Sequence, residues 1–349
     1  MGTQAAPRRV TIADVALRAN VSTAAVSKVL RNAYGVSPSM HARVRQAMTE
    51  LGYRPHAAAR GMRGQTYTIG MMLPDIRNPF FHEILEGVSE QLAPTDYQVL
   101  IGPGGSEPES QVHITNAMID RRMDGLILVA PFTHRRNLEE TARSMPMVII
   151  GRHDKSADYD TVTDDDIMGA GLVVDHLVEL GHRRIAHVEH KVSGRNHPST
   201  MPQSVRAEGY RQAMRRVGLG ADIDIVSTAY TEEGGYQAAR ELLARDVRPT
   251  AIFAGADVAA IGVLNAVYEA GLRVPDDISI VGYDNTAFAA LGPISLTSVD
   301  QDGHAMGANA ARLVLERIES KRSRSVLLST SPTLIPRRST AAPPGTMQA

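Results

Sequence analysis

The residues best suited to contact another molecule lie near the start of the chain, between positions 22 and 28. Thr23, Ala24 and Ser27 are small, and Lys28 is cationic. Small side chains let a helix backbone approach base edges in the DNA major groove, and a lysine ammonium can donate a hydrogen bond to guanine O6 or N7. The pattern indicates a DNA-reading helix, although a solvated helix of an ordinary α-helical bundle would carry similar residues.

Metal-binding and catalytic chemistry have weaker support. The only histidine-rich stretch contains His182, His187, His190 and His197. The spacing His187-x-x-His190 could serve a metal, but without cysteine it is weak support for zinc. The run Asp164-Asp-Asp166 precedes an apolar segment, so helix capping is a better interpretation than a catalytic carboxylate pair. Because no nucleophile can be matched with a base, we predict no enzyme, no cofactor and no metal site.

The charge of the chain is divided sharply between its first 64 residues and the remainder. Residues 1–64 hold ten Lys and Arg against two acidic residues, which gives +8, whereas the rest of the chain carries −9. A basic segment attached to an acidic body favours a polyanionic partner for the first segment alone.

The basic segment shows the pattern of three short helices. The predicted elements are a helix from Ile12 to Ala19 capped by Thr11, a second through Leu30 capped by Ser22, and a third between Ser37-Pro38 and Gly52. Two short helices joined by a tight turn and followed by a third predict a helix-turn-helix domain over residues 8–56. Residues 57–66 are Ala-rich but too short for a stable isolated helix, so they form a hinge helix or a plain linker.

From residue 67 the pattern changes to apolar runs that alternate with amphipathic helices. The predicted strands are 68–73, 98–102, 125–130, 147–150, 184–188, 251–254 and 278–283. Repeated units of this kind fold into parallel sheets covered by helices, an α/β architecture. Ligands of such sheets bind at the carboxyl ends of the strands, where this sequence places Asp75 and Asp284.

Ordered motifs in both parts resemble the lactose-repressor (LacI/GalR) family of regulators. In the basic segment they are Thr11-Ile-Ala-Asp-Val-Ala16, Val21-Ser-Thr-Ala-Ala-Val-Ser-Lys-Val-Leu30 and Leu51-Gly-Tyr-Arg-Pro55. Later motifs, such as Gly181-His-Arg-Arg-Ile-Ala186 and the segment 274–284, are similar to that family's periplasmic-binding-protein-like sensor. The resemblance covers residues 10–340 and implies a type I sensor of two lobes.

The resemblance also implies domain boundaries within that sensor, which would span residues 67–338. Its N-lobe would comprise about 67–166 and 298–325, and its C-lobe about 167–297 and 326–338. Residues 339–349 are Pro/Gly-rich and are predicted to be a flexible tail without a tetramerisation helix.

Carried over residue by residue, the resemblance implies a DNA-binding set. Its members are Thr11, Ser22, Thr23, Ala24, Ser27, Lys28, Tyr53 and Met62. Lys28 stands where the family usually has Arg, so discrimination at that base is expected to be softer. Met62 takes the position of a hinge-helix Leu that wedges between base pairs in the minor groove.

A second set is implied for effector binding. Its members are Asp75, Phe80, Phe81, Arg206, Tyr230, Asp284 and Gln301. Arg206 and Asp284 match the effector-binding Arg and Asp of the family, and Tyr230 falls where relatives place a stacking aromatic. The three aromatic side chains could instead be ordinary core residues. Ala256 replaces an Asn common in the family, which suggests a different ligand.

The function implied is a sequence-specific repressor, which binds near-palindromic double-stranded operator DNA as a homodimer. A small polar effector such as a carbohydrate would control it from between the lobes. An activator or a corepressor-dependent repressor remains an alternative, and other classes are a solute-binding protein or an enzyme with an accessory DNA module. The first residues lack an apolar leader, and no later run approaches the length of a membrane span, which predicts a cytoplasmic protein.

Overall fold

The chain forms two compact units, residues 1–66 and residues 67–349, called here the head and the sensor. A computed structural model describes residues 10–30, 34–53, 65–190, 199–320 and 322–345. Within these ranges, no helix is both long enough and apolar enough to cross a lipid bilayer.

The head consists of three helices, α1 (Ile12–Ala19), α2 (Thr23–Leu30) and α3 (Pro38–Leu51). Local signals set their ends. Thr11 forms a capping box with Asp14, and Asn20 ends α1 in the left-handed conformation, with φ of 52°. Gly52 ends α3 in the same way, with φ of 63°. These bounds confirm the three predicted helices.

A small apolar core holds the head together. Its buried members are Val15, Ala16, Ala19, Val26, Val29, Val44 and Ala47. At the surface, an ion pair between Arg18 and Glu50 joins α1 to α3. Because Val26 and Val29 turn inward, the opposite face of α2 is directed to solvent.

The sensor alternates strands and helices. Its first part contains β1 (Thr68–Leu73), α4 (Phe80–Leu92), β2 (Gln98–Pro103), α5 (Pro108–Asp120), β3 (Gly125–Val129), α6 (Arg135–Ala142), β4 (Met147–Ile150) and β5 (Asp160–Asp164). Its second part contains α7 (Asp166–Glu179), β6 (Ile185–His190), α8 (Pro202–Arg216), β7 (Asp224–Thr228), α9 (Glu232–Leu243), β8 (Ala251–Ala254), α10 (Asp257–Glu269), β9 (Ser279–Tyr283) and β10 (Thr297–Asp300). The last elements are α11 (Gly303–Ser320), β11 (Leu327–Thr330) and β12 (Thr333–Ile335).

These strands form two six-stranded sheets, one for each lobe. The N-lobe sheet has the order β11-β5-β4-β3-β1-β2 and is parallel throughout. The C-lobe sheet has the order β12-β10-β9-β8-β6-β7, in which only β12 is antiparallel to its neighbour. The chain therefore passes between the lobes three times, after β5, after β10 and after β11.

The pairing corrects the predicted lobe boundaries at two strands. β10 was assigned largely to the N-lobe, but it pairs with β9 in the C-lobe sheet. β11 was assigned to the C-lobe, but it pairs with β5 in the N-lobe sheet. Both strands are only four residues long and neither carries an apolar run long enough to indicate its lobe, so their backbone pairing identifies the lobe to which they belong.

The prediction of a flexible tail from residue 339 onward is wrong at its beginning. Ser339 is buried, its Oγ donates to the Ile280 carbonyl at 2.6 Å, and its carbonyl accepts from the Ile280 N–H at 2.9 Å. The Ala341 carbonyl accepts from His182 Nε2 at 2.8 Å. These hydrogen bonds attach residues 339–341 to the C-lobe sheet.

Candidate functional site

The outer face of α2 gathers the residues predicted to read DNA. Thr23, Ala24 and Lys28 are exposed, whereas Ser27 is half-buried. Ser22 Oγ accepts a hydrogen bond from the Ala25 N–H at 3.1 Å, which caps the helix and fixes where this face begins. Since Ala24 and Lys28 are four residues apart, they lie on one side of the helix, one turn apart.

The other predicted DNA-binding residues have different surroundings. Thr11 Oγ donates to the Asp14 carboxylate at 2.7 Å, and the Thr11 N–H donates to the same carboxylate at 2.7 Å, so both groups serve the cap of α1. Tyr53 is half-buried against the core of the head. Met62 and most of the predicted hinge, residues 57–64, lie outside the described ranges.

In the sensor, Asp284 and Gln301 meet where two neighbouring strands of the C-lobe end. Asp284 follows β9 directly, is only 4% exposed and has φ of 115°, a backbone conformation that is costly for any residue except glycine. Gln301 Nε2 donates to Asp284 Oδ1 at 2.7 Å. The other oxygen, Oδ2, is buried and receives no hydrogen bond from the described part of the chain.

Arg206 lies on α8 and is also buried. Its Nε donates to Asp166 Oδ1 at 2.9 Å, its Nη2 lies 2.7 Å from the same oxygen, and its Nη1 donates to the Gly255 carbonyl. The guanidinium carbon stands 3.5 Å from the centre of the Tyr283 ring. Burial opposes the charged form, but Asp166 outweighs it and raises the pKa of Arg206 well above its ordinary value.

Tyr230 follows β7 and presents a second unsatisfied polar atom. Its main-chain N–H donates to His190 Nδ1 at 2.8 Å, and the two rings lie 4.8 Å apart. The Tyr230 hydroxyl is buried without a hydrogen-bond partner among the described residues. This hydroxyl packs against Gly255, whose carbonyl accepts from Arg206, and the Arg206 guanidinium lies over the ring of Tyr283, the residue before Asp284.

A cavity of about 970 Å³ opens beside Tyr230. The loop after β1 contributes Asp75, Arg77, Asn78 and Pro79 to its wall, and α9 and α10 contribute most of the remainder. Phe80 is instead buried in the N-lobe core, and Phe81 is half-buried against that core. The structure thus brings Arg206, Tyr230, Asp284 and Gln301 together, with Asp75 on the cavity wall and the two phenylalanines in apolar packing.

A buried network between the lobes was missed from the sequence. Tyr283 Oη, at the end of a C-lobe strand, donates to Asp164 Oδ2, at the end of an N-lobe strand, over 2.7 Å. His153 Nε2 donates to Asp166 Oδ2 at 2.8 Å. Burial and then the charge of Asp166 raise the pKa of Asp164 to about 7. The partners are distant in sequence, so the run from Asp164 to Asp166 was the only available signal.

The capping interpretation of that run is confirmed for Asp165 alone, whose side chain accepts from the Met168 N–H at 2.9 Å. Ligand atoms of His153, Asp164 and Asp166 all lie within 4.8 Å of one another, but hydrogen bonds with Tyr283 and within the cluster already engage them. His187 and His190 are three residues apart on β6, so they point to opposite faces and cannot share one metal ion.

Comparison with known proteins gives the same two parts. The family described as bacterial regulatory proteins, lacI family, matches residues 11–56, and the family described as periplasmic binding protein-like domain matches residues 174–340. The ribose operon repressor of Escherichia coli strain K12 is 33% identical over 333 residues, which cover 94% of this chain and 99% of that protein.

Solved structures agree with this assignment. The lac repressor dimer bound to operator and the anti-inducer ONPF superposes with a TM-score of 0.80 at 25% identity, covering 96% of this chain and 100% of that one. A LacI family regulator of Enterococcus faecium with bound ribose gives 0.69 at 28% identity, covering 79% and 99%.

A helix-turn-helix head joined to a two-lobed sensor of the periplasmic-binding-protein type is characteristic of DNA-binding transcriptional regulators. The chain belongs to the lacI family of bacterial regulatory proteins. The relatives compared are transcription regulators rather than enzymes.

Proposed function

We propose that this regulator is a repressor that reads its operator with the exposed face of α2 and senses a small polar molecule between the two lobes of the sensor. Thr23, Ala24 and Lys28 contact base edges. Tyr230 and Asp284, the latter oriented by Gln301, bind the effector. The repressor acts in the cytoplasm, where the operator is accessible.

The observation that carries the sensor half is a pair of buried, unsatisfied atoms. Tyr230 Oη and Asp284 Oδ2 are both sequestered from solvent and unpaired within the described ranges. A buried polar group without a partner costs about 1–3 kcal/mol. Such atoms are rare in native proteins unless a ligand or water completes them. A hydroxyl-rich effector supplies the missing hydrogen bonds.

The effect of ligand binding is transmitted to the DNA-binding head through the three chain passages between the lobes. A ligand that contacts both lobes shifts the population toward one relative placement of the lobes. In a two-fold dimer, that placement sets the spacing of the heads and therefore their fit to two half-sites. The lac repressor structure is a dimer on its operator, and we propose the same assembly here.

The DNA half is tested by selection from a randomised duplex library with the purified full chain. The proposal expects enriched sites with near two-fold symmetry, whose half-sites are about one helical turn apart. Lys28→Ala should relax the base preference within each half-site. Enrichment of asymmetric sites, or no enrichment, would count against sequence-specific binding to a near-palindromic operator.

The ligand half is tested by thermal shift with neutral sugars, including D-ribose, because a related structure contains ribose. A binder should raise the melting temperature of the wild type, and the gain should largely disappear in Asp284→Asn. Asp175→Asn, which alters an exposed carboxylate on α7, serves as the matched control. Equal stabilisation of all three proteins would place the ligand elsewhere.

A further inference from the structure

The charged side chains around the ligand cavity are strongly unbalanced. Among the described residues of its wall, Arg77 is the single cation, and the carboxylates are Asp75, Glu232, Glu233 and Glu269. Arg77 is already paired, since its Nη2 lies 2.9 Å from Asp75 Oδ2 and its Nε donates to Asp75 Oδ1 at 3.0 Å. The described part of the wall therefore has an excess of negative charge, and its one cation is paired with Asp75.

The buried residues around Tyr230, which lies on the cavity wall, repeat this imbalance. Among the described residues, Arg206 is a cation whose charge reaches both Asp284 and Tyr230, but each of its three nitrogens has an acceptor, and Asp166 balances its charge. Asp284 keeps one carboxylate oxygen without a partner. Burial, and then the charge of Asp257, raise the pKa of Asp284 well above its ordinary value.

Glu83 brings another carboxyl to this region from the N-lobe. It lies on α4, and a Cβ built on Gly303 would stand 3.2 Å from its Oε2. Gly303 is two residues beyond Gln301, the residue that holds Asp284. Burial, followed by the charges of Asp300 and Asp257, raises the pKa of Glu83 to about 7.

An anionic ligand in this environment would find no free counterion among the described residues, and the surroundings that raise the pKa of Asp284 and of Glu83 already disfavour negative charge. Like charges in a poorly solvated site repel strongly, and a buried phosphate or carboxylate needs a paired cation. A ligand with hydroxyl or amine donors has the opposite effect, because it completes the bonds that Asp284 and Tyr230 lack.

We infer that the effector is rich in hydrogen-bond donors and bears no negative charge, so that phosphorylated and carboxylated sugars are excluded from the cleft. Neutral polyols and amino sugars share this donor chemistry. The inference rests on the proposed effector cleft and specifies the class of molecule that it accepts.

The test is a thermal-shift and calorimetric screen of the full-length protein with matched sets of compounds. One set is D-ribose and ribose 5-phosphate, and another is D-glucose, D-glucosamine, glucose 6-phosphate and glucuronate, within a wider library balanced for charge. In any set that binds, the neutral or amine member should bind at least about tenfold more tightly than its anionic analogue. Tighter binding of glucosamine than of glucose would identify the effector as a cationic amino sugar. The reverse order would identify it as a neutral polyol.

A variant separates charge from shape. Asp284→Asn preserves size but removes the ionisable carboxyl, so it should weaken binding of the preferred compound and reduce its advantage over the phosphorylated analogue by at least about tenfold. Glu90→Gln, on the exposed side of α4, is the matched control and should leave that ratio unchanged.

The outcomes distinguish this inference from the proposed function. Preferential binding of anionic members, abolished by Asp284→Asn, would overturn the charge inference and leave the effector cleft intact. A library without any stabilising compound would overturn both, because the cleft itself would then lack a ligand.

Discussion

Lys28 and Thr23 lie exposed on a helix of the head, whereas Arg206 and Asp284 of the sensor are each 4% exposed. The head builds its stability from valine and alanine packing and keeps its polar candidates in water. The sensor places charged groups inside the protein, where each depends on a specific partner. A substitution in the first set should therefore alter recognition alone, while one in the second should alter folding as well.

The largest expected effect is on the stability of the sensor. Arg206→Ala removes the counterion of Asp166, whose side chain has no exposed surface, and breaking a buried pair in this way costs about 3–5 kcal/mol. Urea unfolding followed by circular dichroism measures the loss.

Arg216→Ala is the control for that substitution. It removes an exposed ion pair with Asp175, formed at 2.8 Å on neighbouring helices, and should cost less than about 1 kcal/mol. Similar losses in the two variants would show that the buried pair has no special role and would remove the contrast between buried and exposed charges.

The next effect concerns recognition by the head. Lys28→Ala should weaken binding to the selected operator by about 1–3 kcal/mol, roughly fivefold to 150-fold, without changing the unfolding midpoint. Arg45→Ala, an exposed cation on α3, should lower affinity for operator and for unrelated DNA alike. If Lys28→Ala also weakens both DNAs equally, then Lys28 contacts phosphate rather than a base edge.

A smaller effect is the pH dependence of the buried network. The pKa of Asp164 is raised from 3.8 to about 7, so the folded state holds its proton more tightly than the unfolded chain does. This contribution to stability is complete below about pH 3.8 and is lost as the pH rises through about 7.

Asp164→Asn cannot ionise and should flatten that dependence. Between about pH 5 and 8, the melting temperature of the wild type should fall by at least about 2 °C more than that of Asp164→Asn. In a domain of this size, about 2–4 °C corresponds to 1 kcal/mol of stability. Asp175→Asn should follow the wild-type curve. Parallel curves for wild type and Asp164→Asn would show that Asp164 remains ionised in the folded protein.

The same contrast explains which features the sequence could predict. Helices of the head begin and end at local signals such as Thr11, Ser22 and Gly52, so their bounds followed from neighbouring residues. Strands with continuous apolar runs were equally visible, because both faces of a parallel sheet are covered by helices. β5, whose sequence is Asp-Thr-Val-Thr-Asp, has no such run and was missed.

The buried polar groups could not be predicted because their partners are set by the tertiary fold. Arg206 pairs with Asp166 across 40 residues of sequence, and Tyr283 reaches Asp164 across 119. Arg206 and Asp284 entered the predicted site through the family resemblance, while the unpaired atoms of Tyr230 and Asp284 emerge only from the folded structure.

The most direct test of the account measures the coupling between the two units. Operator affinity is titrated with and without a sensor-binding compound from the screen, and the affinity for that compound is titrated with and without operator. The account predicts equal factors in the two directions, because linked binding equilibria are reciprocal, and a loss of the compound's effect in Asp284→Asn. A compound that binds the cleft and leaves operator affinity unchanged would contradict the account.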